Sequence, residues 1–123
     1  MKKAGIVLAA LLVAAIAGNA AAAPSGKVYY EKPSGQIAYK PKKIDFSDLT
    51  LTKIKWRHWN SRVARGRGRA RAYSAAGSEV GTARLKMFQR HKENGRRMYG
   101  CMTGTTKVGG REERVEWPPG CDG

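Results

Sequence analysis

Arg65-Gly66-Arg67-Gly68-Arg69-Ala70-Arg71-Ala72-Tyr73 carries arginine at every second position and glycine or alanine between. Successive side chains of an extended strand point to opposite faces, so this alternation sets four guanidinium groups on one face and leaves the other nearly smooth. The smooth face suits close approach of a large neighbour, Trp56 or Trp59. Alanine also permits a helix, but Gly66 and Gly68 would each cost about 1 kcal/mol there. The segment is expected to run as a strand.

The flanking sequence has the same character. Leu49 and Leu51 share one face of an extended segment, and Ile54, Trp56 and His58 alternate after them. An irregularity near Lys53 would keep both sets pointing inward, within one strand from Leu49 to Trp59. Past a turn near Ala76-Gly77-Ser78, Thr82 to His91 sorts Ala83, Leu85 and Met87 from Arg84, Lys86, Phe88 and Arg90. Asn94-Gly95 tolerates positive φ and favours a tight reversal into Arg96–Thr105. Gly109-Gly110 marks another turn before Arg111–Trp117. No segment has a convincing helical period. The pattern predicts an all-β fold, a small antiparallel sandwich or partly open barrel of four to six strands, because a lone flat sheet would leave one apolar face wet.

The N-terminus differs in kind. A basic start (Lys2, Lys3), an uncharged apolar stretch from Ala4 to Ala17 and small residues through Ala23 make up the three zones of a secretory signal. Its apolar helix is shorter than the roughly 18–20 residues a bilayer span needs. The expected layout is a signal peptide over 1–22 with cleavage after Ala22, a flexible lead-in over 23–48 and a β-domain over 49–123. The mature chain would be secreted and would have no transmembrane span. The lead-in is rich in Pro, Lys, Gly and Ser, and reads as poorly ordered or as a short hairpin around Pro33-Ser34-Gly35.

Composition restricts the partners. Removing Lys2 and Lys3 takes 24 basic residues to 22 against nine acids, so the mature chain keeps about +13. Such charge attracts polyanions: cell-envelope polymers, extracellular nucleic acid, lipid head groups or acidic proteins. Cys101 and Cys121 are the only cysteines, and an even pair in an exported chain predicts a disulfide. The His/Cys spacing of a zinc site is absent, and neither metal nor cofactor is expected.

Leu49-Thr50-Leu51-Thr52-Lys53-Ile54-Lys55-Trp56-Arg57-His58-Trp59, followed by Ala64-Arg65-Gly66-Arg67-Gly68, resembles a group of small secreted actinobacterial proteins. These pair a Trp-x-x-Trp with a downstream Ala-x-Gly-x-Gly step inside a β-domain, and the likeness covers residues 44–105. The resemblance implies export and a β-fold and lends no activity. A cysteine pair associated with the segment after the glycines is missing, since Tyr73 to Gly81 contains none.

The arginine row admits two readings. Arg65, Arg67, Arg69 and Arg71 stand about 6.6–6.8 Å apart on an extended strand, close enough to follow several groups of an anionic polymer. Arg84, Lys86 and Arg90 would extend that patch. Alternatively the row is a solvated face, or is paired across the sheet with Glu112, Glu113 and Glu116. The three tryptophans are expected in the core. Two other classes stand behind polymer binding. A ribonuclease-like hydrolase would use His58 and His91 as acid and base, although His58 reads better as a partly buried hydrogen-bonded residue and His91 as solvated. A membrane-active cationic protein would want a basic amphipathic helix, which the sequence lacks. Without a Gly-x-Ser-x-Gly elbow, a His-Glu-x-x-His helix or a phosphate-cradling loop, the chain is read as a non-enzyme.

Overall fold

A computed structural model describes residues 26–121. The expected signal peptide, its helix and its cleavage point lie outside the described residues. Eight strands follow in order: β1 (Tyr29–Glu31), β2 (Ile37–Ala38), β3 (Ile44–Asp45), β4 (Leu49–Arg57), β5 (Ala64–Ser74), β6 (Gly77–Glu93), β7 (Arg96–Val108) and β8 (Arg111–Trp117). They form one sheet in the order β2-β1-β7-β6-β5-β4-β3, with β8 also paired to β7. The sheet curls into an open half-barrel around its own apolar face. Curling answers the problem that a second sheet was expected to solve. The all-β class stands, and of the two expected forms the partly open barrel rather than the sandwich is the one seen, with eight strands among the described residues where four to six were expected.

The four long strands are consecutive antiparallel neighbours from β4 to β7. Each hairpin turn sits where backbone chemistry allows. Asn94 and Gly95 have φ of 53° and 76°, and Gly109 and Gly110 have 59° and 78°. Two successive positive-φ residues give a twist that matches the strands on either side. In β4 the register against β5 shifts between Thr52 and Lys55, with Lys53 at a φ of 52°. That bulge keeps Leu51 and Ile54 both buried although they are three positions apart, an odd spacing that would otherwise send them to opposite faces.

The lead-in is corrected. Residues 29–46 add three short strands, and β1–β2 is the hairpin around Pro33-Ser34-Gly35, paired Tyr30 to Ala38 and Glu31 to Ile37. β1 lies parallel to β7 through Tyr29–Met98 and Tyr30–Tyr99. Val28, Tyr30 and Ile44 are among the most deeply buried side chains. The Trp59 indole donates to the Val28 carbonyl at 2.7 Å, and the Val28 N–H donates to Asn60 Oδ1 at 2.8 Å.

Inside the curl, Trp59 packs edge-on against Trp56 and Tyr99, each 4.9 Å between centroids. Phe46 meets Trp117 across the seam, and the Tyr30 hydroxyl donates to the Trp117 carbonyl at 3.4 Å. Burial, with a smaller push from Glu31, raises the Tyr30 phenol well above the usual tyrosine range. Burial also raises Tyr99, against the Asn60 N–H and Arg90, which pull it down. Phenols held neutral in the folded state favour folding below the unfolded tyrosine pKa of about 10, and that contribution is lost as pH rises through the raised folded values. Urea midpoints measured from pH 9 to pH 12 are expected to fall, and Tyr30→Phe should flatten the fall. A midpoint constant over that range would contradict the burial of these rings.

Cys101 and Cys121 form a disulfide with 5.7 Å between Cα atoms. It packs with Phe88 in a small cluster separate from the main core. The bridge closes 20 residues of sequence and ties the tail to β7 at Cys101, while Gly120 N–H donates to Glu116 Oε2 of β8 at 2.6 Å. Replacing both cysteines with serine should cost about 3 kcal/mol in the chain-entropy account, read as a lower urea midpoint than the oxidised parent.

Candidate polyanion-binding face

β5 is extended over its whole length, so its parity is observed directly. Ala64, Gly66 and Ala70 are buried, Gly68 and Ala72 half-buried, and Arg65, Arg67, Arg69 and Arg71 exposed on the convex face. The smooth side is needed by the packing. A Cβ added at Gly66 would lie 2.6 Å from Trp56 Cε3.

Cross-strand register adds what one strand cannot. Arg65 is paired with Arg57 of β4 and Lys86 of β6; Arg67 is paired with Lys55 of β4 and Arg84 of β6. Directly paired residues share a face, so two rows of three cations cross the sheet side by side. Farther along, Arg69 lies between Thr52 and Thr82, and Arg71 between Thr50 and Val80. The structure thus joins Arg84 and Lys86 to the arginine row. It also brings Lys55 and Arg57 there, which sequence reasoning left out although their alternation with Trp56 was a usable signal.

Arg90 is placed elsewhere. Gln89 has a φ of 61° and breaks the alternation of β6. Phe88 keeps to the disulfide side, while Arg90 donates to the Asn60 carbonyl at 3.0 Å, on the loop held by Tyr99. It does not extend the patch.

The glutamates of β8 do not cap the row. β8 pairs only with β7, two strands away from β5. Glu113 pairs with Arg111 and Glu116 with Arg114. Glu116 is held below the usual carboxylate range by the Gly120 N–H first and then by Arg114. Among the described residues, no carboxylate stands within salt-bridge distance of Lys55, Arg57, Arg84, Lys86 or any arginine of the row. Arg71 donates to the Ser78 hydroxyl at 2.9 Å, and Lys86 lies over the Phe88 ring at 5.0 Å.

The two histidines are apart in kind and place. His58 is not on the inward face: β4 ends at Arg57, His58 turns with a φ of 60°, and its ring is exposed. It borders a depression of about 610 Å³ with Lys55, Arg57, Arg65, Arg67 and Arg84. His91 borders a different one with Arg90, Lys92 and Arg97, and its ring contacts Glu93 at 3.2 Å. Among the described residues no three His, Cys, Asp or Glu side chains gather as a metal group, and no helix is long and apolar enough to cross a membrane.

Comparison with known proteins adds no family to this geometry: no family model, no curated protein and no solved structure matches the chain.

Proposed function

We propose that this protein is an exported, non-enzymatic β-domain that holds anionic polymers of the cell envelope, or extracellular nucleic acid, against the convex face of its sheet. The observation that carries this reading is the pair of registered cation rows, Arg57–Arg65–Lys86 and Lys55–Arg67–Arg84, lying side by side with no carboxylate within salt-bridge distance among the described residues. Like charges placed directly opposite each other destabilise a sheet. A solvated face would be expected to intersperse acids, as β8 does with Glu112 and Glu113 between Arg111 and Arg114 and Glu116 after them. Arginine dominates the patch, and its planar fork matches phosphate and carboxylate oxygens two at a time. Export is supported by the three-zone leader and by the disulfide, a bond that persists in oxidising compartments.

Titrating the purified protein with poly(glycerol phosphate) and with duplex DNA at rising salt tests the reading. Binding should be strong at low ionic strength, and log K should fall linearly with log salt as counterions are released. Absence of binding to both at 20 mM salt would leave the face as solvated surface.

A further inference from the structure

The cation density along β5 is uneven, and that unevenness has a direction. At the Arg65–Arg67 end the row is flanked by cations on both sides, around the depression that Gly66 and Leu85 floor. At the Arg69–Arg71 end the flanking positions are Thr52, Thr82, Thr50 and Val80. One end is built for concentrated negative charge, and the other for single charges in sequence. A phosphomonoester carries about −1.5 to −2 at pH 7 with three acceptor oxygens, whereas each internal diester carries one charge. The spacing continues the match. Six backbone bonds separate Cα atoms two residues apart, the same number that separates successive phosphorus atoms in a phosphodiester with three-carbon linkages. The arginines therefore step at about 6.6–6.8 Å, in pace with such a chain when both are extended.

Resting on the polyanion reading above, we infer that the face recognises chain ends: a terminal phosphomonoester occupies the depression between Lys55, Arg57, Arg65, Arg67 and Arg84, and the diesters that follow run over Arg69 and Arg71. Two sources offer this chemistry, a glycerol phosphate polymer and a nucleic acid strand. Bases are not part of the recognition.

The test uses labelled octamers of thymidylate and of 1,3-glycerol phosphate, each with and without a terminal phosphate, binding the full protein at 50 mM salt. The phosphate-ended form of either polymer should bind about tenfold tighter, the gain of one more charge-assisted contact. Lys55→Gln with Arg84→Gln should abolish the preference. Arg69→Gln with Arg71→Gln should weaken both forms alike and keep it. Thermal unfolding of each variant confirms that these exposed substitutions leave the fold intact. Equal affinity for both ends overturns end recognition and leaves polymer binding standing. A preference seen with thymidylate alone also overturns it, since bases would then contribute. Failure of all four octamers to bind overturns the underlying reading instead.

Discussion

Gly66→Val is expected to destabilise the protein by about 4 kcal/mol, at the upper end of what overpacking costs. The first atom of the new side chain would sit 2.6 and 2.7 Å from Trp56 Cε3 and Cζ3 and 3.0 Å from Cδ2. The indole has little room to yield. Its N–H donates to the Pro41 carbonyl at 2.7 Å, and Trp59 closes it in at 4.9 Å. Moving Trp56 would disturb Trp59, hence the Val28 and Tyr99 contacts that fasten β1 to the barrel. A domain of this size has roughly 5–15 kcal/mol in total, so the variant should sit near the edge of folding. The urea midpoint and the tryptophan emission maximum report the change together. Combining Gly66→Val with Trp56→Val should recover part of the loss, because the space is shared. An unchanged midpoint in the single variant would mean that the smooth side of β5 does not carry the packing described.

The same residue shows how far the sequence was legible. Arginine alternating with Gly and Ala announced both the strand and its bare side, since period-two patterning survives whatever lies opposite. The turns at Asn94-Gly95 and Gly109-Gly110 were readable for a local reason, the positive φ that they require. So was the bulge at Lys53, because two inward sets out of phase demand one extra residue.

What escaped depended on distant partners or on single backbone angles. Val28 lies just ahead of β1, and Tyr30 and Ile44 sit in strands of three and two residues, too short to show alternation. They are buried because β7 and Trp59 wait for them, and a parallel pairing of β1 with a strand some seventy positions later leaves no local mark. His58 and Arg90 were misplaced by one positive-φ residue each, at His58 itself and at Gln89. Parity cannot be extended through such a point. The cation rows were half visible: β5 alone supplies a line, and only the register of β4 and β6 turns it into a patch.

That patch leads to the second large effect, which separates a binding face from a structural one by the sign of the stability change. Arg65→Gln with Arg67→Gln should lower affinity for poly(glycerol phosphate) about a hundredfold at low salt, two charge-assisted contacts at roughly tenfold each. It should also flatten the salt dependence by about 0.7–0.9 per contact removed. At low ionic strength the same variant should melt higher than the parent. Each unit-charge pair near 6.7 Å repels by about 0.6 kcal/mol in water, and both arginines face cations on either side. A relief of about 1 kcal/mol corresponds to roughly 4–8 °C for a domain of this size. In 1 M salt the Debye length falls to about 3 Å, and the difference in melting temperature should vanish. Arginines held for packing or internal pairing would behave oppositely, with a lower melting temperature at every salt concentration. Weaker binding together with greater stability is the signature of charge gathered for a ligand that the folded domain alone does not supply.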